Sequence, residues 1–348
     1  MKKDLSMIEK PDPATNVTSL LSGDGVSQHI CEDLKSFIVT TMPIPWELAK
    51  QRIGGTPEKI VFVDSMEQER VEQQLEELPE FECVVAIGGG QAIDLGKYFS
   101  WKRQARLITI PTVISVDAFV TSAAAIRINR KVEYIGNSSP NPLVIDYDLV
   151  RTAPNDLNIA GVGDLLSIHT AVYDWTLAAK NGQNQNEFHQ NTVDQAYKIL
   201  NSIIDRVEDI RNLTNQGIDA IINGYMDVNR ICLPLGHYRI EEGSEHYLFY
   251  ELEERTGRAY VHGHIIGLGI YVMSHLQKNK HEIITDVMDR MGLKYQPKNM
   301  GIKLQTLIES LSNLRKYVCE REDLWYTVID KETITPEWID CITNELEF

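Results

Sequence analysis

Three stretches of this chain carry residue types that do chemistry. The first is CVVAIGGGQAIDLGK, residues 83–97, where a β-rich apolar run ends in Gly88, Gly89 and Gly90 and a helical pattern begins at once. Glycine lets the backbone approach a ligand closely, and the open N–H groups of a helix start favour a phosphate. The same triplet also suits a tight turn that holds a helix against a strand, and its spacing is not the G-x-G-x-x-G of the common dinucleotide fingerprint. The second stretch, AGVGDLLSIHTAVYDWTLA (160–178), places Asp164 at the start of a helical pattern. The third comprises EEGSEHYLF with His246 and VHGHIIGLG with His262, the two histidines 16 residues apart. Two imidazoles and one carboxylate leave a coordination position open, as in a catalytic zinc-like site. An ion held there acts as a Lewis acid on a hydroxyl or carbonyl oxygen. An aspartate at a helix start is also an ordinary cap, and any of the nine histidines can sit in the core or on the surface. His169 follows Asp164 by five residues and His264 follows His262 by two, so helical geometry turns both to other sides; His237 is a third neighbour.

These residues must be positioned by regular elements. Residues 36–41, 59–64, 83–87 and 106–110 read as strands, with helical patterns at 45–52, 67–78 and directly after the glycines. That alternation predicts a parallel, doubly wound sheet. Residues 144–146 give the last clear strand signal; beyond about residue 155 helical period dominates, as at 163–179, 191–207 and 302–317. The expected organisation is an α/β dinucleotide-binding domain over 1–153 and an all-α, metal- and substrate-binding domain over 154–348, divided near Thr152–Pro154. A chain of 348 residues is long enough for two cores. With 43% hydrophobic and 24% charged residues it reads as globular and soluble, and no apolar run approaches the length of a membrane span. Residues 1–16 open with two adjacent lysines, Lys2 and Lys3, without an apolar stretch behind them, so no secretory signal is expected. Cys31, Cys83, Cys232, Cys319 and Cys341 form no C-x-x-C pair, which points away from a disulfide framework and a thiolate zinc site and towards a cytoplasmic address. A net charge of −16 repels nucleic acid and anionic membranes, so small molecules are the expected partners, and an anionic one needs a local cationic pocket.

The turn reads in full as G-G-G-x-x-x-D-x-x-K, with Asp94 and Lys97 one helical turn apart, and it is followed by IPTVISVDAFVTSAAAI, residues 110–126. Together these blocks resemble the iron-containing alcohol dehydrogenase superfamily, which also holds glycerol dehydrogenase, glycerol-1-phosphate dehydrogenase and dehydroquinate synthase. The resemblance implies NAD(H) or NADP(H) held by Gly88, Gly89, Gly90, Asp94, Lys97, Thr112 and Ser122, with Pro111 and Thr112 packed at the nicotinamide. It implies catalytic roles for Asp117, which approaches the substrate, and for Asp164, His246 and His262, which hold one divalent ion. Zinc leads by availability; iron and nickel suit the same ligands. A homo-oligomer is the expected state. The pattern GVGDLLSIHTAVYDWTLA, with Asp174, Trp175, Leu177 and Ala178, and the block EGSEH, preceded by Arg239, are similar to the glycerol-1-phosphate dehydrogenase branch; the likeness runs over residues 83–272. It implies a polyol phosphate as substrate, such as sn-glycerol-1-phosphate exchanged with dihydroxyacetone phosphate, and a phosphate grip by Arg239. Glu241, Glu242, Tyr250 and His264 depart from that branch and keep an unphosphorylated polyol in view. The cyclase branch usually has glutamate at the position of Asp164 and a lysine soon after, whereas no lysine lies between Asp164 and Lys180 here; this favours a dehydrogenase over a sugar phosphate cyclase and, with the ligand set intact, over a non-catalytic nucleotide-binding protein. The strand over 36–41 ends in Thr40 and Thr41, without the acidic residue that would exclude a 2′-phosphate, so NADPH is expected to be accepted.

Overall fold

The computed structural model describes residues 15–17, 19–129, 131–183 and 185–348. The stretch read for a leader, residues 1–16, lies outside them except for Thr15 and Asn16. The chain divides into two compact units, Met1–Asn158 and Ile159–Phe348.

The first unit is built on a six-stranded parallel sheet. Its strands are β1 (Leu20–Gly23), β2 (Phe37–Thr41), β3 (Lys59–Phe62), β4 (Cys83–Gly88), β5 (Arg106–Pro111) and, after a two-stranded hairpin of β6 (Ala124–Ile128) and β7 (Lys131–Ile135), β8 (Leu143–Asp146). The order across the sheet is β1-β8-β5-β4-β2-β3. The crossovers include α1 (Pro43–Ala49), α2 (Gln68–Glu76) and α3 (Gly90–Arg103), and α4 (Tyr147–Val150) follows β8. β4 is buried at every position, CVVAIG, as a central strand covered on both faces must be. Its register sets Gly88 beside Pro111, and Thr112 donates its N–H to the Gly88 carbonyl at 3.1 Å, so the glycine turn and the Pro-Thr pair are neighbours by strand pairing.

Two features differ from the sequence reading. A strand precedes the one at 37–41: LLSG is too short to show a period, yet it pairs in parallel with β8 at the sheet edge. The hairpin β6–β7 lies in a stretch with no strand signal, because β7, KVEYI, is almost wholly exposed and lacks a buried face.

The second unit is helical throughout its described residues. The chain enters it through α5 (Asn155–Ala160) and continues with α6 (Val162–Lys180), α7 (Gln190–Ile204), α8 (Val207–Arg211), α9 (Asn215–Leu235), α10 (Ser244–Thr256), α11 (His262–Gln277), α12 (His281–Met291), α13 (Pro297–Met300), α14 (Leu304–Cys319), α15 (Val328–Lys331) and α16 (Pro336–Asn344). α6 and α11 are apolar almost all round and form its centre, while α7 and α12 bury one face each. Among the described residues no helix is long and apolar enough to cross a membrane.

Candidate functional site

Gly88, Gly89 and Gly90 sit at the carboxyl end of β4 and open α3. Gly88 has φ +144°, which side chains other than hydrogen rarely adopt, and a Cβ there would also press on Ala92 at 3.0 Å. The N-cap, Gly89, offers no side-chain cap, so the first N–H groups of this 14-residue helix are open to a ligand. β3 lies on one side of β2 and β4 on the other, so the strand order reverses between β2 and β4. Open α/β sheets bind nucleotides outside the carboxyl ends of strands at such a reversal. The glycine turn therefore has both the local and the topological setting of a phosphate site.

Asp94 and Lys97 do not complete that site as the sequence reading expected. Lys97 is 1% exposed, and its ammonium group meets Asp94 Oδ1 at 2.7 Å, Thr121 Oγ1 at 3.0 Å and the Ala123 carbonyl at 2.6 Å. A lysine has three donors, and all three are spent inside the protein. Burial pushes the Asp94 carboxyl up against the opposing pull of Lys97. The pair is a buried tie between α3 and the segment 121–125, and nucleotide contact is withdrawn for Lys97. Ser122 lies on that same segment, where its carbonyl accepts the Ser138 N–H at 2.9 Å. Thr112 is nearly buried beside the glycines, and Asp117 opens a short 3-10 turn, Asp117–Phe119, half-buried.

In the second unit, Asp164, His246 and His262 come together: one potential ligand atom from each lies within 4.8 Å of the others. All three stand in the first turn of a helix, Asp164 on α6, His246 on α10 and His262 on α11. Two glycines make this convergence possible. A Cβ on Gly163 would fall 2.4 Å from the Gly263 Cα, and one on Gly263 would fall 1.6 Å from the Ala160 carbonyl oxygen, so α6 and α11 touch backbone to backbone beside the residues they present.

Asp164 Oδ1 is 3.0 Å from His262 Nε2 and 3.7 Å from His246 Nε2. This oxygen is buried, and the short approach to His262 lacks hydrogen-bond geometry, which leaves it without a hydrogen-bond partner among the described residues. A buried carboxylate oxygen in that state is costly unless a cation meets it. One carboxylate and two imidazoles are also the donor set of an open zinc-like site. The residues present thus fit a divalent ion. Burial raises the Asp164 carboxyl, but the imidazoles of His262 and His246 outweigh it and hold it below its usual range. Burial lowers His246, but the hydrogen bond and charge of Glu245, with Glu242 and Asp164 behind, bring it to about 9. His169 is turned away, as helical spacing required: its Nε2 meets the Asn279 carbonyl at 2.7 Å.

Two acidic residues belong to this neighbourhood that the sequence reading gave no part in holding the ion. Glu245 is fully buried and lies 2.9 Å from His246 Nδ1. Glu242 is half-buried and experiences the charges of His246, Asp164 and His262; burial raises its carboxyl. The EEGSEH block contained both, but nothing in the order of its letters says which carboxylate points inward.

Arg239, expected to grip a substrate phosphate, is buried, and its Nη1 has no hydrogen-bond partner among the described residues. It is 1% exposed, donates from Nη2 to the Tyr326 carbonyl at 3.1 Å and packs on the Trp325 ring at 5.5 Å. The nearby charges that act on it are Tyr247 and Asp174, and Asp174 lies ten residues beyond Asp164 on α6. The chain turns between Tyr238 and Glu242, between Arg239 and the EGSEH block.

The family model of iron-containing alcohol dehydrogenase matches residues 19–154. A glycerol-1-phosphate dehydrogenase [NAD(P)+] of Pyrococcus abyssi is 27% identical over 322 residues, covering 92% of this chain and 85% of that protein. Another, from Pyrococcus horikoshii, is 30% identical over 255 residues, covering 73% and 71%. Among solved structures, a glycerol dehydrogenase from Schizosaccharomyces pombe superposes with a TM-score of 0.66 at 18% identity, over 93% of this chain and 87% of that one, a likeness of fold. With a relative of 30% identity matched over most of its length and the family model over the first unit, the chain belongs to the iron-containing alcohol dehydrogenase family and is an oxidoreductase.

Proposed function

We propose that this protein is a metal-dependent, NAD(P)-linked dehydrogenase that interconverts sn-glycerol-1-phosphate and dihydroxyacetone phosphate. The observation that carries the chemistry is the meeting of Asp164, His246 and His262 at three helix starts. The relatives' names support the phosphorylated substrate and the nucleotide.

In this reading Gly88, Gly89 and Gly90 receive the nucleotide pyrophosphate on the open start of α3, and Thr112 flanks it through the β4–β5 register. Asp164, His246 and His262 hold the divalent ion, which when bound supplies Lewis-acid polarisation of the substrate oxygen. The nucleotide carries the redox step, so no protein nucleophile is required. The positive ends of α6, α10 and α11 favour negative charge on the substrate in a protein that carries −16 overall. Asp117 is the candidate for holding a second hydroxyl.

The nucleotide choice follows from β2. Thr40 is buried with its hydroxyl on the Ala92 carbonyl at 2.9 Å, and Thr41 is buried beside it. No carboxylate at that strand end opposes a 2′-phosphate. NADPH is expected to support turnover at least as well as NADH; steady-state kinetics with a strong NADH preference would count against this placement.

A second reading, an unphosphorylated polyol, is favoured by one observation: the half-buried carboxyl of Glu242 lies within the electrostatic reach of the ligand trio, while Arg239 spends Nη2 on the Tyr326 carbonyl. NAD(P)H oxidation with zinc supplied, run with dihydroxyacetone phosphate and with dihydroxyacetone, decides between them. The proposal requires the phosphorylated ketone to be reduced at least about tenfold more efficiently, a margin of about 1.4 kcal/mol in transition-state binding. Arg239→Ala should lower the melting temperature and leave that ratio unchanged. A better unphosphorylated substrate overturns the first reading in favour of the second.

A further inference from the structure

Glu245 stands in the first turn of α10, where an acidic side chain ordinarily points to solvent and gains a little from the helix dipole. This one is fully buried, with both oxygens turned inward. Oε1 accepts the Gly243 N–H at 2.6 Å and lies 2.9 Å from His246 Nδ1; Oε2 accepts the Thr170 hydroxyl at 2.7 Å. A carboxylate only accepts, so the Nδ1 it meets carries the hydrogen. When the ring is neutral, as a metal ligand must be, Nε2 is then the atom with the lone pair, and it is Nε2 that lies 3.7 Å from Asp164 Oδ1.

We infer that Glu245 is a positioning residue for the divalent ion: it fixes the orientation and Nδ1–H tautomer of His246 and strengthens its Nε2 as a ligand. The inference rests on the metal reading above. A carboxylate on the far nitrogen of a ligating imidazole holds the ring in its binding state and makes it more basic, and loss of such a partner typically weakens metal affinity by about 10- to 100-fold. The support is itself braced. Thr170 comes from α6, the helix that carries Asp164, and Gly269 of α11 packs against the Glu245 backbone, with 2.5 Å from a built Cβ to its carbonyl oxygen. Glu245 thereby touches the other two helices that present ligands, α6 through its carboxylate and α11 through its backbone.

Gln is the informative substitution. The Gly243 N–H selects an oxygen at the position facing His246, so the amide of Glu245→Gln keeps its carbonyl there and turns its NH2 towards the Thr170 hydroxyl, which can accept. That variant keeps the tautomer and loses the charge. Glu245→Ala loses both.

Zinc affinity, measured by competition with a chromophoric chelator in the full-length protein, provides the test, with circular dichroism to check folding and nitrogen NMR of the imidazoles to read the tautomer. The expected result is affinity about 10- to 100-fold weaker in Glu245→Ala, an intermediate loss in Glu245→Gln, and the Nδ1–H signal kept in Gln but not in Ala. If the wild type binds no zinc, the metal reading fails and takes this inference with it. If the wild type binds zinc and both variants bind within twofold of it, this inference alone fails. Should Glu245→Ala not fold, Glu245→Gln decides: undiminished affinity overturns the proposal.

Discussion

Replacing His262 by alanine is expected to remove both the bound divalent ion and turnover. His262 is the most accessible of the three candidate ligands, with its side chain 28% exposed against 4% for His246 and 10% for Asp164. Truncation there costs little packing, so a lost activity reports on chemistry. The change deletes Nε2, which lies 3.0 Å from Asp164 Oδ1, and leaves one imidazole and one carboxylate, too few donors for an open four-coordinate site. Lewis-acid stabilisation is worth several kcal/mol at the transition state, so kcat should fall by about a thousandfold or more. Metal analysis of dialysed protein beside an NAD(P)H assay makes the check. A wild-type enzyme that is fully active after complete removal of metal would sink the idea, as would a His262→Ala variant that keeps both ion and rate.

Much of this site was legible before the structure because its signals are local. An apolar run closed by Gly88, Gly89 and Gly90 already specifies a buried strand, a turn with positive φ and a helix start, and β4 and α3 are those elements. Asp164, His246 and His262 were singled out for a different reason: their donor types and the resemblance of the blocks that hold them, with Asp164 alone read at a helix start, and all three lie in the first turn of a helix. What was hidden depends on which way a side chain faces across tertiary contacts. Lys97 stands one turn from Asp94 in the cofactor block, yet its partners come from Thr121 and Ala123, more than 20 residues on. Arg239 precedes EGSEH, yet its guanidinium donates from Nη2 to Tyr326 and packs on Trp325, more than 80 residues away. Glu245 was passed over for the same reason in reverse, since an acidic residue at a helix start reads as a dipole partner until both oxygens are seen turned in. β1 went unseen because four residues at a sheet edge carry no period, and its partner strand begins more than 100 residues later.

The second large effect is expected from a residue that touches no ligand. Gly263→Ala adds one methyl group where α11 crosses the chain entering α6, and a Cβ there lies 1.6 Å from the Ala160 carbonyl oxygen. The obstructing atom is backbone, so no rotamer change relieves the overlap; α6 and α11 must move apart. Overpacking typically costs about 1–3 kcal/mol, and this contact is severe enough to place the variant at or above the upper end of that range. Separation also acts on the site, because Gly163 and Gly263 flank the positions that set Asp164 and His262 3.0 Å apart. Even a folded variant should bind zinc much more weakly than wild type. Gly182→Ala serves as the comparison: Gly182 has φ +66° with nothing within 4 Å of a built Cβ, so it carries the backbone preference without the crowding and should cost only about 1 kcal/mol. Urea unfolding of the two variants beside zinc titration separates strain from crowding. If Gly263→Ala unfolds at the wild-type midpoint and binds zinc as tightly, α6 and α11 are not held together through these glycines, and the convergence of the three ligands needs another explanation.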